Sequence, residues 1–286
     1  MKTVQRALVL GAGGKAAIAW EIGVIAGMAD AGLDVRDADL FIGTSAGSVV
    51  AAQITSGLAI EELFQRQVDP RLQVDEPAPA VDFTQWRAEV VRAKNAARNA
   101  TEFLSGIGSL PPAPGMGQDD RREVTASRLP VHVWPQRRVF IVAVDADGGD
   151  RHVFDLTSDV PLVDAVAASC TVAGISPAIS IKGRRYIDGG FYSIENADLA
   201  VGAERVVVLT LPARVPPLCI ASLDSAVTTL RTHGARVEVV HPDDSSQAAF
   251  ASVGGNLLDP AVREPAARAG RGQGQAIARH LAGFWR

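Results

Sequence analysis

Two strand–turn–helix units fill the first sixty residues, and this order limits the possible fold more than any other feature. The apolar run at 6–10 ends at Gly11, and apolar residues at helical spacing follow over 18–31. The second unit has an apolar run at 39–42, a tight turn, and a helix-like segment at 45–55. Strands that alternate with helices predict a mostly parallel sheet covered on both faces. We therefore expect an α/β fold.

The rest of the chain supplies further strands and a region of different character. Apolar runs predict strands at 138–144, 151–154, 178–181, 185–187, 205–211 and 237–240. The segment at about 58–125 is mainly helical, and its stretch 106–117 is so rich in Gly and Pro that a loop is expected there. We predict a single domain over 1–286, in which the insert at 58–125 either covers the sheet or forms a lid over a pocket. A basic helical tail is expected at about 260–286.

Composition excludes several classes of protein. The net charge is −4, with 28 Lys and Arg against 32 Asp and Glu, and this argues against a nucleic-acid binder. The two cysteines, Cys170 and Cys219, are too few for a disulfide scaffold or a cysteine metal site. No apolar stretch is long enough for a membrane span or an export signal. We expect a cytoplasmic protein without a cofactor or a metal.

The turn after the second strand has the sequence Gly43-Thr44-Ser45-Ala46-Gly47. A G-x-S-x-G turn between a strand and a helix lifts its serine to the carboxyl edge of the sheet, at a helix N-terminus that favours developing negative charge. Gly43 and Gly47 keep side chains away as the backbone reverses. We predict that Ser45 is a nucleophile. The alternative is a structural turn in which Ser45 caps the helix.

A nucleophilic serine needs donors for the oxyanion, and the loop at 11–17 offers small residues whose amides can approach a substrate oxygen. A phosphate-binding Walker A loop does not fit, because position 16 is Ala. A dinucleotide-binding loop fits loosely through Gly11, Gly13 and Ala16. That alternative and a purely structural glycine turn both stay open.

The serine also needs a base, and two kinds of residue are available. His233 and His241 follow the serine, as an ordinary hydrolase triad requires, but neither lies in a distinctive motif. Asp188 follows a short strand in Ile187-Asp188-Gly189-Gly190, where the two glycines allow a sharp turn. Asp147 begins the same three-residue pattern, but it lies between two hairpin strands, where such residues are ordinary turn chemistry. Of the two aspartates, we predict that Asp188 is catalytic and Asp147 structural.

The glycine loop, the G-x-S-x-G turn and the distant D-G-G, in that order, resemble the patatin-like phospholipase family. The stretches at 18–25, 167–170 and 196–200 are also similar to bacterial members, and the resemblance covers most of 6–210 and, more weakly, the chain to about 275. It implies a three-layer α/β/α sandwich and a serine acyl hydrolase with a Ser–Asp dyad and no histidine. By motif, Ser45 is the nucleophile and Asp188 the base, and the amides of Gly13, Gly14 and Lys15 form the oxyanion hole. The glycines that belong to these motifs are Gly11, Gly43, Gly47, Gly189 and Gly190.

The resemblance implies a function and leaves two alternatives. We expect hydrolysis of carboxylic esters of lipids through an acyl-enzyme, of the phospholipase A, lysophospholipase or esterase type. A thioesterase or peptidase would use the same dyad. Ala12 and Ala17 stand where the family has glycine, and they are the only support for a weakly active regulatory or adaptor protein.

The tail supplies a possible partner besides the lipid or acyl-ester substrate. Residues 261–286 contain five arginines and one glutamate. Such a basic helix is either a solvated surface helix or a peripheral contact with an anionic membrane. No oligomeric state is predicted.

Overall fold

An eight-stranded sheet forms the centre of this computed structural model, which describes residues 4–73, 76, 81–115, 117–212 and 218–286. The strands are β1 (Arg6–Leu10), β2 (Leu40–Thr44), β3 (Arg138–Asp145), β4 (Arg151–Phe154), β5 (Ile179–Ile181), β6 (Arg184–Asp188), β7 (Arg205–Leu209) and β8 (Arg236–Val240). Their order is β5-β6-β3-β2-β1-β7-β8, with β4 also paired to β3. Strands β3, β2, β1, β7 and β8 are parallel, whereas β4 and β6 run antiparallel to β3. The predicted mostly parallel sheet is confirmed.

Helices cover both faces of the sheet. In the described residues they are α1 (Gly14–Asp30), α2 (Ala46–Ile54), α3 (Ile60–Val68), α4 (Phe83–Ala96), α5 (Ala100–Gly108), α6 (Gln118–Arg128), α7 (Leu162–Ser169), α8 (Leu223–Thr232), α9 (Asp244–Ala251) and α10 (Arg263–Trp285). Alternate residues of β1 point to opposite sides, so Leu8 joins the apolar cluster of α1, α2 and α10. Val9 joins a separate cluster that includes Leu230 of α8. The fold is therefore α/β, with its sheet between two helical layers.

The region at 58–125 holds α3, α4, α5 and most of α6. Helix α4 begins where Asp82 accepts hydrogen bonds from the Thr84 and Gln85 amides. The prediction of a loop from 106 onward is wrong at its start, because Gly106 to Gly108 form the last turn of α5. Phe103, Leu104 and Ile107 of that helix are fully buried, and this burial outweighs the low helix propensity of glycine.

The basic tail forms α10, which packs closely along α1. Gly23 and Gly27 of α1 meet α10 so tightly that a Cβ at either position would overlap a backbone carbonyl of Ala267 or Arg271. Gly270 and Gly274 of α10 lie equally close to the backbone of α1. The prediction of a solvated surface helix is therefore wrong for this face, because glycine pairs let the two helices approach.

Most arginines of α10 are paired with acids of the same chain. Arg271 contacts Asp30 Oδ2 at 2.7 Å and Glu61 Oε2 at 2.8 Å. Arg268 contacts Glu264, and Arg263 contacts Glu76. These intramolecular ion pairs neutralise much of the positive charge of α10. Contact of this helix with an anionic membrane stays a prediction.

Among the described residues, no helix has both the length and the apolar character needed to cross a membrane. Within the same residues, no group of three or more His, Cys, Asp or Glu side chains is placed to hold a metal ion. Cys170 and Cys219 are buried and free.

Candidate active site

Ser45 lies in the sharp turn between β2 and α2. Its backbone has φ 53° and ψ −116°. A positive φ is unfavourable for any residue but glycine, and the sharp turn that carries a nucleophilic serine requires it. The turn packs on β1, since a Cβ on Gly47 would overlap the Leu10 carbonyl. The following helix α2 is buried along its whole length. The sequence motif therefore forms the strained strand-to-helix turn that it predicted.

Asp188 is the last residue of β6, two strands away from β2 in the sheet. The Ser45 hydroxyl donates a hydrogen bond of 2.6 Å to Asp188 Oδ2. The Gly190 amide donates to the other carboxylate oxygen, Oδ1, at 2.7 Å. The fold thus brings together a hydroxyl and a carboxylate that are 143 residues apart in the chain. Both carboxylate oxygens are held, and Oδ2 is aimed at the serine.

Burial raises the pKa of Asp188 to about 6. The side chain is almost inaccessible to water, which disfavours its charged form. The hydroxyl of Ser45, the amide of Gly190 and the charge of Arg121 lower the pKa only in part. A carboxylate with this pKa is a stronger base than a solvated one and is still ionised at neutral pH.

Three side chains hold the backbone of Ser45. Ser169, at the end of α7, accepts a hydrogen bond from the Ser45 amide at 2.9 Å and donates to the Val142 carbonyl at 2.6 Å. The Ser45 carbonyl accepts from Ser48 Oγ at 2.6 Å and from Cys170 Sγ at 3.1 Å. The stretch 167–170 belongs to the family resemblance, but the sequence did not show that it supports the turn. These bonds fix the unusual backbone conformation.

Asn196 connects the loop after Asp188 to the strand that carries the serine. Its side-chain amide donates to Thr44 Oγ1 at 3.0 Å and to the Ser193 carbonyl at 2.7 Å. The residue is fully buried. Its role was also not predicted, although 196–200 belongs to the resemblance. The two halves of the site are therefore joined by a buried amide.

The glycine loop opens α1 beside the serine. Gly11 donates its amide to the Leu209 carbonyl and to Glu21 Oε1, both at 3.0 Å. Within the described residues, the amides of Gly13, Gly14 and Lys15 have no hydrogen-bond partner. Gly14 has a φ of +64°, and Gly14 and Lys15 line the same cavity as Ser45. Unpaired amides beside a serine are the arrangement expected of an oxyanion hole.

Glu21 accepts a hydrogen bond from the Gly11 amide of this loop, and this role was not predicted from the sequence. It is completely buried, and this burial raises its pKa well above the usual value, although the hydrogen bond from the Gly11 amide lowers it in part. It reaches Gly11 from the second turn of α1. A glutamate inside an otherwise apolar helix was the available signal.

A cavity of about 360 Å³ opens over Ser45. Its apolar wall combines α1, α6, the loop after α7 and the chain before α10 through Ile18, Val124, Val172, Ile175 and Leu258. Its charged lining residues are Lys15, Glu76, Arg121 and Arg128. The cavity suits an apolar chain that ends in a polar group.

One end of this cavity holds a buried ion cluster around Glu76. Arg128 binds both carboxylate oxygens, at 2.8 and 2.5 Å, and Arg263 lies at 2.8 Å and Lys15 at 3.2 Å. Burial alone would raise the pKa of Glu76, but hydrogen bonding and the charges of Arg128, Lys15 and Arg263 outweigh it and lower the pKa to about 2. Only Glu76 of these four residues lies in the insert, and single charged residues so far apart in the chain gave no motif from which this cluster could be predicted.

The other candidate bases lie elsewhere. Asp147 is at the surface and pairs with Arg185, which lowers the pKa of the aspartate. His233 contacts the Thr229 carbonyl of its own helix, and His241 contacts the Thr210 carbonyl. In the part of the chain that the structure describes, neither histidine hydrogen-bonds Ser45. The carboxylate of Asp188 occupies the position that an imidazole would take in an ordinary triad.

A sequence profile described as patatin-like phospholipase matches residues 8–201, more than half of the chain. The chain belongs to the patatin-like phospholipase family. The matched region contains the glycine loop, the turn at Ser45 and the segment at Asp188. Membership implies a lipid acyl hydrolase, and the family's α/β fold with a mostly parallel sheet is the one described above.

Two solved structures are similar to this patatin-like chain. VipD from Legionella pneumophila is 12% identical with a TM-score of 0.45, over 98% of this chain and 67% of its own. The type III effector protein ExoU is 13% identical with a TM-score of 0.44, over 97% of this chain and 53% of its own. No curated protein sequence matches the chain. Neither structural similarity is close enough to transfer a property to this protein.

Proposed function

We propose that this protein is a serine acyl hydrolase that cleaves carboxylic esters of lipids with Ser45 as nucleophile and Asp188 as its base. The hydrogen bond of 2.6 Å from the Ser45 hydroxyl to Asp188 Oδ2 carries the proposal. Family membership supports the reaction class, and the cavity over Ser45 supports an apolar acyl group. No cofactor takes part in the proposed steps.

The first half-reaction acylates the serine. Ser45 Oγ attacks the ester carbonyl carbon while its proton passes to Asp188 Oδ2, and the carbonyl oxygen becomes an oxyanion. The amides of Gly13, Gly14 and Lys15 stabilise this oxyanion at the N-terminus of α1. The tetrahedral intermediate expels the alcohol, which takes the proton from Asp188. The products are an acyl-Ser45 ester and a free alcohol.

The second half-reaction regenerates the enzyme. A water molecule gives its proton to Asp188 and adds to the acyl carbonyl. The intermediate then releases Ser45, which recovers the proton, and the free fatty acid leaves. Asp188 serves as base and then as acid in each half, and a pKa of about 6 suits both roles at neutral pH.

The insert at 58–125 contributes a wall of the acyl cavity. Ala113, Pro114, Gly115, Arg121 and Val124 all line it. We propose that this part of the insert acts as a lid and limits the acyl groups that fit.

Probe labelling and turnover test the proposal. A fluorophosphonate should label the wild type and should fail to label Ser45→Ala. It should label Ser105→Ala normally, because this half-buried serine of α5 does not line the cavity. Hydrolysis of p-nitrophenyl esters of increasing acyl length should follow the same pattern. Labelling of Ser45→Ala would refute the nucleophile. Labelling without turnover would favour an adaptor protein.

A further inference from the structure

The active-site cavity shares part of its wall with a second, smaller cavity. The second cavity has a volume of about 30 Å³ and is lined by residues of α1, α2, α3, α6 and α10. Among the described residues, three line both cavities, namely Ile18, Glu76 and Arg128, and we call them the partition. Ile18 is 4% exposed, and Arg128 binds both carboxylate oxygens of Glu76 at 2.8 and 2.5 Å. The partition therefore consists of a buried apolar side chain and a doubly bonded ion pair.

The second cavity lies further along the two helices that begin at the glycine loop and at the nucleophile. On α1, Lys15 lines the active-site cavity, and Ile18, three residues later, lies at the partition. On α2, Ala46 lines the active-site cavity, whereas Val49 lines the second one. Val49 is about 6 Å beyond Ser45 along the helix axis, at a rise of about 1.5 Å per residue. A chain that starts at Ser45 and runs along these helices therefore meets the partition.

The second cavity is polar, unlike the apolar wall of the active-site cavity. Gln53, Gln67 and Arg263 line it. Each has one buried polar atom, Oε1 in the glutamines and Nε in the arginine, that has no hydrogen-bond partner among the described residues. A hydrocarbon chain in this space would surround these atoms with groups that cannot form hydrogen bonds, which is unfavourable. The partition thus separates a space that suits an acyl chain from one that does not.

We propose that the partition limits the length of the acyl chain that the active site accepts, and that Ile18 contacts the end of that chain. The inference rests on the proposed function and deepens it, because it assigns an upper limit to the acyl part of the substrate. The ester carbonyl lies between Ser45 and the amides of the glycine loop, and the acyl chain runs along α1 and α2. A longer chain is opposed by the side chain of Ile18 and by the polar cavity behind it.

The loop after α7 offers the acyl chain a different wall. Val172 and Ile175 line the active-site cavity and do not line the second one. A chain that ended against this loop would have a length limit that depends on Ile175 and not on Ile18. Ile18→Ala and Ile175→Ala remove the same atoms from the wall of the same cavity, so they form a matched pair that distinguishes the two directions.

Binding of saturated fatty acids to Ser45→Ala measures the length limit without turnover. Calorimetry would use the even-numbered acids from octanoate to hexadecanoate, each below its micelle concentration. The affinity should rise about fourfold with each added methylene until the chain end reaches the partition, where the rise should stop. Added to Ser45→Ala, Ile18→Ala should move this break to chains roughly two methylenes longer, because the deletion leaves space at the partition. Ile18→Phe should move the break to shorter chains, and Ile175→Ala should leave it in place.

Hydrolysis of p-nitrophenyl esters with the same acyl chains provides the second measurement. With Ser45 intact, kcat/KM should show its break at the same chain length as the fatty-acid affinity, and Ile18→Ala and Ile18→Phe should shift it in opposite directions. A loss of stability in either variant would lower the rate for all chain lengths alike and would not produce these opposite shifts.

The inference would be overturned by a break that stays at one chain length in Ile18→Ala and Ile18→Phe, or that moves with Ile175→Ala instead. An affinity that rises through hexadecanoate without a break, or no measurable binding at any length, would also overturn it. If the break moves with Ile18 in the fatty-acid measurement but no ester is hydrolysed, the proposed function fails, while the limit that the partition sets on a bound chain stands.

Discussion

Two buried carboxylates, Glu76 and Asp188, lie at the same active-site region and titrate in opposite directions. The pKa of Glu76 is lowered to about 2, and the pKa of Asp188 is raised to about 6. Glu76 contacts three cations, whereas Asp188 contacts a hydroxyl and an amide. Burial raises the pKa of both groups, so the number of adjacent cations decides the outcome.

This difference separates a structural acid from a catalytic one. Glu76 remains ionised throughout the physiological range and is too weakly basic to take a proton from Ser45. Asp188 keeps a pKa near neutrality because only two hydrogen bonds, from Ser45 and Gly190, and the charge of Arg121 oppose the effect of its desolvation. A site that requires a base therefore has to leave its carboxylate without a direct salt bridge.

The largest expected effect comes from removal of the base. Asp188→Asn should reduce kcat/KM for a p-nitrophenyl ester by roughly 10³-fold, because the amide cannot accept the Ser45 proton. Asp147→Asn is the matched control from the second D-G-G, and it should change the rate by less than about threefold. A similar loss in both variants would show that the two turns were wrongly distinguished.

The next effect is on stability. Glu76→Gln leaves Lys15, Arg128 and Arg263 buried without their counter-charge, and it should lower the free energy of unfolding by about 3 kcal/mol. Denaturant titration monitored by circular dichroism measures this change. The control is Glu264→Gln, an exposed pair with Arg268, which should cost less than about 0.5 kcal/mol. Equal stability of both variants would mean that the cluster has no structural role.

The catalytic motifs of this site could be predicted from short stretches of sequence, whereas the buried charged residues around them could not. The glycine loop, the turn at Ser45 and the aspartate at 188 were predicted because each lies in a short pattern that ends a strand. Glu76, Arg121 and Glu21 were missed because single charged residues show their partners only after the chain folds. Close packing of α1 and α10 had a signal, the four-residue spacing of Gly23 with Gly27 and of Gly270 with Gly274, and this signal was overlooked.

The two acids should also affect stability over different pH ranges. A raised pKa in the folded state means that Asp188 contributes stability below pH 3.8, which is lost as the pH rises through 6. Glu76 has a depressed pKa, so its contribution is present above pH 4.5 and is lost as the pH falls through 2. The unfolding free energy of Asp188→Asn minus that of the wild type should therefore increase by about 2 kcal/mol as the pH rises from 4.5 to 7.5. No change in this difference with pH would mean that Asp188 is not desolvated.

The pH dependence of kcat/KM tests the central claim most directly, since it reports the ionisation of the group that accepts the Ser45 proton. For the wild type, the rate should rise about tenfold between pH 5 and 7 with an apparent pKa near 6 and then level off. Glu76→Gln should keep that profile, and the residual rate of Asp188→Asn should lose the step. A step near pH 6 that persists at full rate in Asp188→Asn would contradict the account, because another group would then be the base.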